Sequence, residues 1–266
     1  VKEHLRQSAV QKKKAIGEEV ARLLATEFIR EIYHSEWLAN VVMVPRKDKS
    51  LRMCIDFKHI NRACPKDHFP LPRIDQIVDS AAGCERLSFL DAYFGYHQIR
   101  LYGPDEIKTA FITPFGCFCY VTMPFGLKNA GATFMRMIQK CLLTQISPNV
   151  EVYMDDIMVK SRKGFDLLTD LAETFANLRR YDIKLNPSKC TFGVPGGKLL
   201  GFHVFERGID ANPEKVGTIL RMKRPVRVHD VQKLTGCLAS LSRFISRLSE
   251  KALPLYRLIK KSDKFE

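Results

Sequence analysis

The stretch Val150-Glu151-Val152-Tyr153-Met154-Asp155-Asp156-Ile157-Met158-Val159, VEVYMDDIMV, restricts the fold more than any other part of the chain. Two short runs of β-branched and other apolar residues flank adjacent carboxylates, and no Gly or Asn eases the turn between them. Each run has the length and composition of a buried strand, so the pattern predicts a hairpin with two like charges at its tip. Adjacent carboxylates repel, and burial raises the pKa of one of them. A solvated turn is one resolution of that conflict. A divalent cation is the other, because hard Mg²⁺ takes oxygen ligands, usually one or two carboxylates plus substrate phosphates. The apolar flanks set the turn close to a core and favour the cation.

A third carboxylate completes such a site, and Asp91 is the candidate. It ends the apolar run LSFL, where a strand delivers it to one end of a sheet. A hairpin pairing beside that strand brings Asp91, Asp155 and Asp156 together. Two Mg²⁺ ions ~3.5–4 Å apart then suit phosphoryl or nucleotidyl transfer.

The remaining segments predict an α+β fold. Residues 14–34 place Ile16, Val20, Leu23, Leu24 and Ile29 at helical spacing. ANVVMV and LRMCIDF bracket the basic turn PRKDKS as a hairpin, and CPKDHFPLP is an extended connector. Residues 86–101 begin as a strand, and 112–127 read as strand, turn, strand. Residues 128–146 and 165–181 are amphipathic helices, and short strands surround Gly193 to Gly201. In 213–266, Leu234, Leu238, Leu241, Ile245 and Leu248 form one helical stripe, with Arg243 and Arg247 one turn apart beside it.

Charge narrows the partners. The net charge is +14, and 213–266 alone carries 13 Lys and Arg against 5 Asp and Glu, which favours a polyanion, nucleic acid first. No apolar run is long enough to span a membrane. The eight cysteines include no C-x-x-C pair, and buried reduced thiols in an intracellular protein are expected. The chain opens on Val, without a signal-peptide core, and is expected to be a segment of a longer polypeptide.

Tyr153-Met154-Asp155-Asp156 resembles the Y-x-D-D box of reverse transcriptases, and Asp91 in FLDAYFGYHQI resembles their first aspartate motif. MPFGLKNAGATF resembles the family's helix-leading motif, LRMCIDFKHIN the fingers motif, LNPSKC the segment after the catalytic hairpin, and LLGFHV the primer-grip hairpin. Further resemblance, in CPKDHFPLPRID, NPEKV and LIKKSDKFE, is to the pol polyproteins of plant Ty3/gypsy-type LTR retrotransposons. The ordered motifs run over nearly the whole chain.

The resemblance implies a right hand, with fingers and palm interleaved over 1–212 and a basic helical thumb over 213–266. It implies an RNA-directed DNA polymerase that takes RNA or DNA template with primer, dNTPs and two Mg²⁺ ions, for which Mn²⁺ can substitute. Asp91, Asp155 and Asp156 become metal ligands, joined by the backbone carbonyl of Ala92. Arg52, with Lys47 or Arg46, grips the triphosphate, while the same basic tip also suits a solvated turn. Tyr96 takes the steric-gate position, where the alternative is a core aromatic. Phe125 stands where several retroviral relatives carry Gln, and packs on the sugar. Lys189 acts near the pyrophosphate or lies on the surface. Gly201 marks the primer-grip hairpin, and Arg243 and Arg247 contact nucleic acid or form a solvated basic face. RNase H and integrase portions of the parent polyprotein are implied partners. RNase H follows the thumb in the family, so template degradation is not expected of these residues. The implied location is a cytoplasmic particle with nuclear entry.

Two other readings stay open: a catalytically silent nucleic-acid-binding remnant of such an element, and an RNA-dependent RNA polymerase. The intact acids weigh against the first and Tyr96 against the second.

Overall fold

A computed structural model describes residues 10–45, 50–93 and 95–260. In chain order the elements are α1 (Val10–Ala25), β1 (Ile29–Ile32), β2 (Ala39–Pro45), β3 (Leu51–Ile55), α2 (Lys58–Ala63), α3 (Ile74–Asp79), β4 (Arg86–Asp91) and α4 (Gly103–Glu106). There follow β5 (Phe111–Thr113), β6 (Gly116–Tyr120), α5 (Ala130–Cys141), β7 (Val150–Tyr153), β8 (Asp156–Ser161), α6 (Leu167–Arg180) and β9 (Thr191–Val194). The chain closes with β10 (Gly196–Leu199), β11 (Phe202–Phe205), β12 (Gly208–Ala211), α7 (Pro213–Leu220), α8 (Val228–Ala239), α9 (Leu248–Lys251) and α10 (Leu253–Lys260). The described residues fall into two compact units, one from 1–72, 89–159 and 169–191, the other from 73–88, 160–168 and 192–266.

The first unit holds a five-stranded sheet of order β1-β6-β5-β2-β3. Only β2 and β5 pair in parallel there, through Ala39 and Asn40 opposite Phe111 and Ile112. The basic-tipped hairpin forms as expected, with Val44 opposite Arg52, although residues 46–49 of its tip lie outside the described residues. Ile16, Val20 and Leu23 of α1 join Ile29, Ile55, Phe111, Phe118 and Tyr120 in one core cluster.

The helix expected over 14–34 stops at Ala25. Glu27 turns left-handed at φ 54°, and the N–H of Phe28 donates back to the Leu23 carbonyl at 3.0 Å. Ile29 and Ile32, three apart on a strand against β6, are both buried but on opposite faces, in two separate core clusters. Helical spacing put Ile29 on the helix, but aromatic and β-branched residues in FIREI suit a sheet edge better.

A second sheet presents the acidic residues. β7 and β8 form the hairpin, and β4 lies next to β8. Ile157, Met158 and Val159 are fully buried, and α5 backs the sheet with Phe134, Met135 and Ile138.

In the second unit β10, β11 and β12 form an antiparallel meander. The C-terminal segment is helical as expected, but its leucine stripe is broken. α8 ends at Ala239, and Arg247 adopts φ 56°, so Leu241, Ile245 and Leu248 do not continue one helix. All eight cysteines are free, and no described helix is long and apolar enough to cross a membrane.

Candidate active site

The register Tyr153↔Asp156 leaves Met154 and Asp155 as a two-residue loop, with Asp156 opening β8. Such a loop needs φ above zero at its first residue to match the strand twist, and Met154 supplies it at 54°. A bulky side chain is costly in that region, so its surroundings must hold it. The Met154 N–H donates to Met135 Sδ at 3.1 Å, and the Tyr96 hydroxyl lies 3.9 Å from Met154 Sδ. Beneath the thioether lies Gly131, where a β-carbon would stand 3.0 Å from the sulfur. The Asp155 carbonyl accepts the Ala92 N–H at 3.4 Å, tying the tip to the end of β4.

Asp91 is fixed through its backbone. Its N–H donates to Cys190 Sγ at 3.5 Å, and its carbonyl accepts the Asn186 N–H at 2.9 Å. Lys189 Nζ lies 3.4 Å from the Asp91 carboxylate. Asp155 Oδ1 is buried with no hydrogen-bond partner among the described residues. Burial raises the Asp155 pKa, reinforced by Asp91 and then Asp156, against the opposing pull of Lys189. Asp156 is raised by partial desolvation and by Asp91, again opposed by Lys189.

Among the described residues no three His, Cys, Asp or Glu side chains are gathered tightly enough to hold an ion as they stand. Uncompensated carboxylates repel: Asp91 leans towards Lys189, while Asp155 lies against Gly95. The donor set nonetheless fits a divalent cation. Asp155, with its orphaned buried oxygen, and Asp156 both have raised pKa values beside Asp91, so the site is short of positive charge, and its ligands are hard oxygens.

Tyr96 packs its ring against Phe125 at 4.9 Å and Phe134 at 5.6 Å between centroids. Burial raises its pKa, followed by the Asp155 charge. The structure thus groups Asp91, Ala92, Tyr96, Phe125, Asp155, Asp156 and Lys189. Arg52 is exposed on β3, and Lys47 and Arg46 lie outside the described residues. Gly201, Arg243 and Arg247 belong to the second unit. Gly201, at φ 86°, and Leu200, at φ 48°, make the tight turn between β10 and β11. Arg243 pairs with Asp79 at 2.7 Å and Asp75 at 3.4 Å, and Arg247 pairs with Glu250.

Sequence reasoning missed Gly95, Gly131, Met135 and Cys190 as supports of the acids. Gly95 had a usable signal: a glycine just past an acid-bearing strand marks close approach of another group.

Solved structures of the foamy viral protease-reverse transcriptase share this architecture. One in complex with dsDNA superposes at TM-score 0.89 and 21% identity, covering 99% of this chain and 55% of that one. Another, in complex with an RNA/DNA hybrid, gives 0.87 and 21%, covering 98% and 35%. The fold is therefore that of a right-hand polymerase. Residues 44–204 match the family described as reverse transcriptase (RNA-dependent DNA polymerase), and the chain belongs to that family. Among curated relatives, the transposon Tf2-3 polyprotein of Schizosaccharomyces pombe is 31% identical over 250 residues, which is 94% of this chain and 19% of the polyprotein. The Tf2-7 polyprotein of the same yeast is 30% identical over the same extent. The chain thus spans about a fifth of the length of these relatives.

Proposed function

We propose that this chain extends a primer on an RNA or DNA template by nucleotidyl transfer: the primer 3′-oxygen bonds to the α-phosphorus of a dNTP, and pyrophosphate leaves. The observation that carries the reading is the buried, unpartnered Oδ1 of Asp155 beside Asp91 and Asp156. These three carboxylates, with the Ala92 carbonyl, would hold two Mg²⁺ ions. Bound Mg²⁺ supplies the positive charge that acidifies the attacking hydroxyl and offsets charge on the leaving group.

The other groups act through position. Tyr96, braced by Phe125 and Phe134, stands where it excludes a ribose 2′-hydroxyl. Arg52, with Lys47, grips the triphosphate, and Lys189 neutralises charge near Asp91. Residues 213–266 serve as a basic thumb on the template–primer. The parent is a retrotransposon polyprotein of the Ty3/gypsy type that also carries RNase H and integrase. Its placement in a plant element rests on CPKDHFPLPRID, NPEKV and LIKKSDKFE, whereas the relatives named above are from fission yeast.

Primer extension on a defined RNA template, with Mg²⁺ and dNTPs, tests the reading. Wild-type protein is expected to extend the primer and Asp155→Asn to fail. Hybrid binding without extension by wild-type protein would favour the silent remnant instead.

A further inference from the structure

The first residue of a two-residue hairpin loop has an N–H that the strand ladder does not use. At Met154 this N–H belongs to a residue in the left-handed region, so the turn has little intrinsic preference for its observed shape. A partly buried amide needs an acceptor. Here the acceptor is a thioether, Met135 Sδ at 3.1 Å, although sulfur is a weak one. Met135 itself is 1% exposed on α5, so its sulfur is fixed by packing. The next residue along the turn is Asp155.

We propose that Met135 is a positioning residue: its thioether, by accepting the Met154 N–H, sets the turn that aims the Asp155 carboxylate. Packing alone does not require sulfur at this place, since Leu fills a similar volume. The hydrogen bond does require an acceptor. Gly131 keeps the arrangement open from the other side, leaving room for the Met154 side chain so that its backbone can face Met135. The part of the proposal that concerns catalysis rests on the reading of Asp155 as a metal ligand. The hydrogen bond does not.

The test uses the whole chain, ¹⁵N-labelled and free of metal, and compares amide hydrogen exchange in wild type, Met135→Leu and Met135→Gln. Met154 is expected to exchange about tenfold faster in the Leu variant, the equivalent of one hydrogen bond. Glu151 and Met158, the next hydrogen-bonded pair of the hairpin ladder, should keep their wild-type rates. The Gln variant, whose amide oxygen can accept, should return Met154 towards the wild-type rate. Binding of Mn²⁺, followed by its electron paramagnetic resonance signal, should weaken several-fold in the Leu variant and recover with Gln. An unchanged Met154 rate in Met135→Leu overturns the proposal. So does an equal rise at Met154, Glu151 and Met158, which would mark Met135 as core filler only. A wild-type protein that binds no Mn²⁺ and extends no primer sinks the polymerase reading instead, and the exchange rates still decide the role of Met135.

Discussion

The carboxylate of Asp155 rests on the α-carbon of Gly95: a β-carbon at residue 95 would stand 2.5 Å from Asp155 Oδ1. Gly95 is not in the left-handed region, so its backbone accepts an alanine and only the carboxylate must give way. Gly95→Ala is therefore expected to fold normally and to lose primer extension by about 100-fold, as an ångström-scale misplacement does. Circular dichroism beside extension rates checks this. An active Gly95→Ala protein would show that Asp155 has room to spare.

The raised pKa of Asp155 makes a stability prediction. A carboxyl whose folded pKa exceeds its unfolded value stabilises fully below the unfolded value of 3.8 and loses that contribution as pH rises through the folded value. At neutral pH and in EDTA the fold thus disfavours the ionised form of Asp155, a cost that Asp155→Asn escapes. The variant should melt a few degrees higher than wild type in EDTA. Added Mg²⁺ should raise the wild-type melting temperature and move the variant much less. A variant that melts lower in EDTA would contradict the assignment.

Much of this site was legible in the sequence because the chemistry was local. Apolar runs on either side of Asp155 and Asp156 announced the hairpin, and LSFL announced the strand that ends at Asp91. The supports were not legible, because each is a contact across the fold. Nothing in the local pattern says that Met135 Sδ will meet an amide 19 residues later, or that Arg243 will reach Asp79, 164 residues earlier. The two helix boundaries failed for a different reason. Helical spacing ran on by chance through Ile29, past the left-handed Glu27 that follows α1, and through Leu241 to Leu248, although α8 stops at Ala239 and the left-handed Arg247 starts a new helix, α9. Periodicity registers which face is apolar, not where the backbone turns.

Tyr96 is held on two sides, by Phe125 and Phe134, which suits the steric-gate role proposed for it. Tyr96→Val should leave dNTP addition largely intact and raise ribonucleotide incorporation by about 100-fold. Single-nucleotide extension with dNTP and NTP pairs measures the ratio. A ratio that does not move would return Tyr96 to the role of an ordinary packed aromatic.

Arg243 acts within the second unit rather than as a free cation. It is 29% exposed, its partner Asp79 is 57% exposed, and its guanidinium also lies over the Phe202 ring at 5.8 Å. Partial exposure limits the pair to about 0.5–1 kcal/mol. Arg243→Ala and Asp79→Ala should each lower stability by about that amount, and the double variant should lose less than the sum. Strict additivity in thermal or urea melts would show the pair to be uncoupled.

His97 gives the last prediction, one of pH. It is buried, with Nδ1 3.1 Å from Thr122 Oγ1, and its ring stacks on Phe28 at 4.7 Å and Tyr120 at 5.7 Å. Burial, then the charge of Arg22, pushes its pKa down from 6.5 to about 4. The folded state therefore binds fewer protons than the unfolded chain between those two values. Stability from this group is complete above pH 6.5 and is lost as pH falls towards 4, by up to about 3 kcal/mol. Below pH 4 both states are protonated and no more is lost through His97. Urea melts across this window should show the slope, and His97→Phe, which keeps the stack but cannot take a proton, should flatten it. Equal slopes in the two proteins would place the acid sensitivity elsewhere.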